Sequence, residues 1–84
     1  MNKEELIAKL KTIIKPYTTN TDAYDNLTEE TDFINDLNIN SANLVDIILD
    51  IEEVFDIVID NHEMELMLDV KSAVEIIESK LASK

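Results

Sequence analysis

Three kinds of side chain in this sequence could take part in chemistry: one serine in an unusual setting, one histidine and many carboxylates. The serine is Ser41, which follows a polar turn and precedes a long apolar segment. Because Asn40 or Ser41 can accept hydrogen bonds from free backbone N–H groups, we expect a helix to begin here, with Ser41 in solvent. A nucleophilic serine needs a base, and the single histidine, His62, belongs to a different segment. Ser41 is therefore better suited to modification by another enzyme than to catalysis.

The carboxylates do not predict a metal site. Asp36, Asn38 and Asn40 match the first, third and fifth positions of an EF-hand loop. However, Ser41 replaces the glycine of the sixth position and Ile47 replaces the bidentate glutamate of the twelfth. The chain has no cysteine, so it has no thiolate ligand and no thiol nucleophile of its own. With 84 residues and little room for a concave pocket, it is predicted to have no catalytic residues and not to be an enzyme.

The charge of the chain narrows the choice of partners. Nineteen acidic residues against seven basic ones give a formal net charge of -12. Nucleic acid and anionic membranes require a basic face, so we exclude them and expect partners with basic surfaces. No segment has the length of a membrane span, and the first residues lack the apolar core of a signal peptide. We expect a monomeric cytoplasmic protein that folds as one domain over residues 1–84.

Apolar residues lie in two separate stripes on the helix predicted over residues 41–55. The stripe that is expected to face the core consists of Leu44, Ile48, Ile51 and Phe55. A second stripe with an acidic border is typical of a docking surface, since it combines apolar contact with electrostatic steering. We call it the docking surface, and its residues are Ala42, Val45, Asp46, Leu49, Glu52, Glu53 and Asp56. The alternative is that Val45 and Leu49 only widen the core stripe.

The rest of the chain predicts an all-α fold, a small bundle of three longer helices and one short helix. The longer helices are expected at about 3–15, 41–55 and 70–82, and the short one at about 61–67. Between the first helix, which Pro16 ends, and Asn40 we expect a long ordered loop with one helical turn at 32–37.

Two further local features follow from residue type. The β-branched run at 56–60 has no partner strand, so we expect an extended connector that inserts one or two side chains into the core. The chain contains no glycine, and Asn38 is expected to adopt the positive φ that a glycine would otherwise supply before the central helix.

Several of these segments together resemble the acyl carrier proteins. The sequence DFINDL at 32–37, the pair Asn40-Ser41 and the helix end IEEVFDIVI at 51–59 are similar in order and spacing to that family's pattern. The resemblance extends in outline over the whole chain. It differs at two positions, where Asn40 stands in place of the family's aspartate and Ala42 in place of its leucine.

The resemblance implies a function for Ser41. It would carry phosphopantetheine through a phosphodiester, installed from coenzyme A by a phosphopantetheinyl transferase that uses magnesium. The arm would hold acyl groups as thioesters, for fatty-acid or specialised acyl and polyketide-type biosynthesis. The docking surface would meet basic patches on acyl-transferring, ketosynthase-type or ligase enzymes. Two alternatives remain: an aminoacyl or peptidyl carrier, and an acidic helical adapter in which Ser41 is only a helix cap.

Overall fold

The computed structural model describes residues 2–83, and within them it is all-α. Its helices are α1 (Lys3–Ile14), α2 (Thr21–Asp25), α3 (Ser41–Phe55), α4 (Asn61–Leu66) and α5 (Val70–Ala82). The predicted bundle of three longer helices and one short helix is confirmed. The observed α1 and α4 each end one residue earlier than expected. Met1 and Lys84, which belong to the predicted single domain, lie outside the described residues.

Every one of these helices begins at an asparagine or aspartate whose side chain accepts a backbone N–H of the first turn. The capping residues are Asn2, Asn20, Asn40, Asp60 and Asp69. Such caps satisfy N–H groups that have no partner inside the helix, which is why these residue types mark helix starts. The starts of the longer helices were therefore predictable from local sequence.

Helix α2 is the element that the sequence did not predict. It occupies part of the connection that was expected to be a loop, and it has five residues, none of them buried. Ala23 and Tyr24 pack against the core only in part. A helix this short shows no apolar periodicity, so its only sequence signal is the cap at Asn20, whose Oδ1 accepts the N–H of Ala23 at 3.1 Å.

The rest of the connection is ordered by hydrogen bonds to distant backbone groups. The N–H of Phe33 donates to the carbonyl of Leu68 at 3.0 Å, and the N–H of Val70 donates to that of Thr31 at 3.0 Å. These bonds attach the connection to the start of α5. The expected helical turn is present, because the N–H of Asp36 donates to the carbonyl of Asp32 at 3.1 Å.

A single buried core contains side chains from α1, α3, α5 and the segments between them. The expected core stripe of α3 is buried, and Ile47 joins it. In the connector after α3, Ile57 and Ile59 are buried while Val58 is 76% exposed. The extended connector is thus confirmed, with two side chains inserted in the core.

Asn38 has the expected left-handed backbone, with φ of 57°. Because a Cβ strains this conformation and asparagine tolerates it better than alanine, Asn38→Ala should lower the free energy of unfolding by about 1 kcal/mol. Asn38→Gly is the control and should leave stability equal or slightly higher, since glycine lacks the Cβ. Urea denaturation measures both. Equal stabilities of the alanine and glycine variants would contradict the assignment of strain to this residue.

Candidate functional site

The start of α3 is fixed by Asn40 and not by Ser41. The side-chain Oδ1 of Asn40 accepts the N–H of Asn43 at 2.8 Å, and its carbonyl accepts the N–H of Leu44 at 3.0 Å. Asn40 has extended backbone, whereas Ser41 is the first residue with helical geometry. Of the two candidate caps, the structure selects Asn40. The capping role that the adapter alternative gave to Ser41 is therefore wrong.

Ser41 lies in solvent at the first position of the helix. Within residues 2–83 its hydroxyl makes no hydrogen bond. The backbone N–H groups of Ser41 and Ala42 also precede the first intrahelical bonds, so they are directed out of the helix end. An accessible hydroxyl therefore lies beside free backbone donors.

A groove opens next to this hydroxyl, between α3 and α4, and we call it the Ser41 groove. It has a volume of about 340 Å³. Its residues are Ser41, Leu44, Val45, Ile48, Asn61, Met64 and Glu65. The lining is mainly aliphatic, with an amide and a carboxylate contributed by α4. The groove therefore places aliphatic surface beside the hydroxyl of Ser41.

The second apolar stripe of α3 is exposed. Val45 and Leu49 have 46% and 52% of their surface in solvent, and Ala42 is exposed beside them. They do not widen the core stripe, because Leu44, Ile48 and their neighbours fill that side of the helix. The helix therefore presents an apolar strip outside the core.

The four acidic residues of the docking surface have different surroundings. Asp46 and Glu53 are exposed and form no ion pair within residues 2–83. Glu52 is half-buried, and its Oε2 accepts the N–H of Ile59 at 2.9 Å. Asp56 follows α3 with φ of 54°, and its N–H donates to the carbonyl of Glu52. Glu52 and Asp56 thus shape the end of α3, which leaves Asp46 and Glu53 as the carboxylates most available to a partner.

Comparison with known proteins gives several full-length relatives, all named acyl carrier protein. The one from Coprothermobacter proteolyticus is 38% identical over 84 residues, which is 100% of both chains. That from Thermotoga maritima is 34% identical over 80 residues, 95% of this chain and 96% of the relative. That from Lactobacillus acidophilus is 38% identical over 79 residues, 94% of this chain and 96% of the relative.

The chain belongs to the acyl carrier protein family. No model of a protein family matches it, so the assignment rests on these relatives and agrees with the resemblance in the sequence. Acyl carrier proteins are carriers without catalytic activity of their own, so the chain is a carrier and not an enzyme.

The two departures from the family's pattern are explained by the geometry of the carrier's α3. Asn40 caps the helix through its amide oxygen, as an aspartate would through a carboxylate oxygen, but without adding a charge. Ala42 is exposed, so it buries no side chain and provides less apolar surface than a leucine would. With both residues present, Ser41 is the first residue of α3 and is exposed.

A hydrogen bond that the sequence did not indicate connects α3 to the segment after α1. The hydroxyl of Tyr17 donates to Oδ2 of Asp50 at 3.1 Å. Partial burial of the phenol, together with this bond to a carboxylate, raises the pKa of Tyr17 above its ordinary value. Asp50 is therefore occupied by a contact within the carrier. A tyrosine and an aspartate 33 positions apart show no such pairing in the sequence.

The remaining candidates for chemistry are His62 and the carboxylates. His62 is exposed at the start of α4. Within residues 2–83 no group of three or more acidic or histidine side chains is arranged to hold a metal ion. None of the helices described here combines the length and apolar character that crossing a membrane requires.

The cap predicts different effects for two adjacent substitutions. Asn40→Ala should lower the free energy of unfolding by about 1 kcal/mol, because the N–H of Asn43 loses its partner. Ser41→Ala should change it by less than about 0.5 kcal/mol, because the hydroxyl caps nothing. Asn40→Asp keeps the cap and serves as the control. Thermal and urea unfolding measure these differences, and a larger loss in Ser41→Ala than in Asn40→Ala would contradict the assigned cap.

Proposed function

We propose that the whole chain acts as one carrier domain that holds acyl groups as thioesters on phosphopantetheine, attached through a phosphodiester to Oγ of Ser41. The observation that carries this proposal is the position of Ser41. It is exposed at the first position of α3, and its hydroxyl has no hydrogen bond within residues 2–83. In a member of the acyl carrier protein family, such a hydroxyl is suited to attachment.

The residues around Ser41 fit a phosphodiester. The positive end of the α3 dipole and the free N–H groups of Ser41 and Ala42 favour a negative charge at this place. Asn40 supplies the cap with a neutral side chain, so it adds no carboxylate next to the phosphate. When bound, phosphopantetheine supplies the thiol that forms the thioester, which the chain cannot do because it has no cysteine.

The docking surface is proposed to bring Ser41 to its partners. Val45 and Leu49 supply apolar contact, and the exposed carboxylates of Asp46 and Glu53 attract basic residues. Glu52 and Asp56 support this surface by fixing the end of α3. The partners are a phosphopantetheinyl transferase and acyl-transferring, ketosynthase-type or ligase enzymes with basic patches.

The lining of the Ser41 groove favours apolar acyl groups as the cargo. Leu44, Val45, Ile48 and Met64 provide aliphatic surface, and the groove contains no cationic side chain. An apolar chain buries surface favourably there. We therefore propose fatty-acyl or polyketide-type cargo in preference to aminoacyl or peptidyl cargo.

The attachment site can be tested by intact mass spectrometry after incubation with coenzyme A, magnesium and a broad-specificity phosphopantetheinyl transferase. The chain should gain the mass of one phosphopantetheine, and Ser41→Ala should gain none. Ser79→Ala is the matched control, because Ser79 is an exposed serine in α5, and it should be loaded like the unaltered chain. Loading of Ser41→Ala, or failure to load the unaltered chain, would refute the proposed site.

The docking surface can be tested by reversing its exposed charges. The double substitution Asp46→Lys and Glu53→Lys should slow phosphopantetheine transfer at low salt by roughly tenfold, because electrostatic steering toward a basic partner is lost. The difference should shrink as salt is added. The control for charge alone is the pair Glu75→Lys and Glu78→Lys, both at exposed positions of α5. Equal slowing by both pairs would show that net charge matters and the docking surface does not.

A further inference from the structure

Helix α4 borders a groove on each of two sides. One side borders the Ser41 groove, of about 340 Å³. The other borders a second groove of about 300 Å³ between α4 and α5, which includes Leu66, Ile76 and the carboxylate of Glu63. None of the six residues of α4 is fully buried, and Met64 packs against the core from a half-buried position. The fully buried anchors lie in the segments next to the helix, at Ile59 before it and Met67 after it.

Among the described residues, one ion pair connects α4 to α5. The ammonium of Lys80 lies 2.7 Å from Oε1 of Glu63, and both side chains are partly shielded, with 31% and 23% of their surface exposed. The same Oε1 accepts the N–H of Asp60 at 3.2 Å, while Oδ1 of Asp60 accepts the N–H of Glu63 at 2.8 Å. Glu63 therefore joins the start of α4 to α5 through a single carboxylate.

We propose that the ion pair between Glu63 and Lys80 is a positioning contact that fixes α4 against α5 and thereby sets the width of the Ser41 groove. A helix that borders a groove on each of two sides, and whose only core contact among the described residues is the half-buried Met64, can shift between α3 and α5, and a shift toward α3 narrows the Ser41 groove. Lys80 holds it on the α5 side. An effect of this ion pair on a bound acyl group rests on the proposed function of Ser41. The effect on the position of α4 does not.

The exchange of backbone amides measures how firmly α4 is held. Glu63→Gln keeps the hydrogen bond to the N–H of Asp60, because glutamine also closes a capping box, but it removes the charge. Glu63→Gln and Lys80→Gln should each speed exchange at the hydrogen-bonded amides of residues 63–66 by roughly two- to fivefold. Their combination should add nothing further. Lys80→Arg should restore slow exchange, and Lys71→Gln, which removes an exposed lysine of the same helix, should have no effect.

The width of the groove needs a separate measurement. The chain has no cysteine, so Ala42→Cys and Glu65→Cys allow two nitroxide labels to be placed on α3 and α4 alone. The distance distribution between them should move to shorter values in Lys80→Gln and stay unchanged in Lys71→Gln. Faster exchange in all helices would show a general loss of stability and overturn the proposal. Unchanged exchange in α4, or an unchanged distance distribution, would also overturn it.

Both measurements use the chain without phosphopantetheine, so they do not depend on loading. If Ser41 fails to load while α4 behaves as expected, the proposed function is wrong and the positioning contact is retained. If Ser41 loads but α4 does not respond to removal of the ion pair, the positioning contact is wrong and the proposed function is retained.

Discussion

The hydrogen bond between Oδ1 of Asn40 and the N–H of Asn43 is the interaction on which the site depends. It fixes the start of α3 at residue 41. The hydroxyl of Ser41 is therefore in solvent and does not cap the helix. If the serine itself were the cap, its oxygen would be occupied by the backbone and less accessible to a modifying enzyme. A cap one residue earlier leaves the hydroxyl of Ser41 accessible.

Helix α3 contributes one side to the core and exposes another to solvent. Its buried stripe packs with residues of the other helices, while Val45 and Leu49 stay exposed. The carboxylates of Asp46 and Glu53 have no ion pair within the described part of the chain. With a net charge of -12, the molecule repels acidic surfaces and approaches basic ones faster. An exposed serine hydroxyl, an apolar strip and a strong negative field thus lie on or beside one helix of this carrier.

Helices α3 and α4 differ in how many side chains they bury in the core. Helix α3 buries five side chains, whereas α4 buries none and lies between two grooves. Burial of apolar side chains is the main source of stability for a helix in a small domain. Ser41 is therefore presented by the firmly packed helix, and the opposite wall of its groove is provided by the weakly packed one.

The sequence alone determined the longer helices, the connector and the exposed position of Ser41, because caps, apolar periodicity and β-branched runs act within a few residues. It also determined the family, through the spacing of DFINDL, Asn40-Ser41 and the end of α3. Only the tertiary structure could choose Asn40 over Ser41 as the cap, show Glu52 bonded to the N–H of Ile59, and bring Tyr17 to Asp50 and Lys80 to Glu63. The contacts of Tyr17, Lys80 and Glu52 each connect residues that are separated along the chain and meet only after folding. The cap was a choice between two adjacent residues with equally suitable oxygens. In each case the outcome depends on where the packed backbone places an atom, and residue type and spacing do not contain that information.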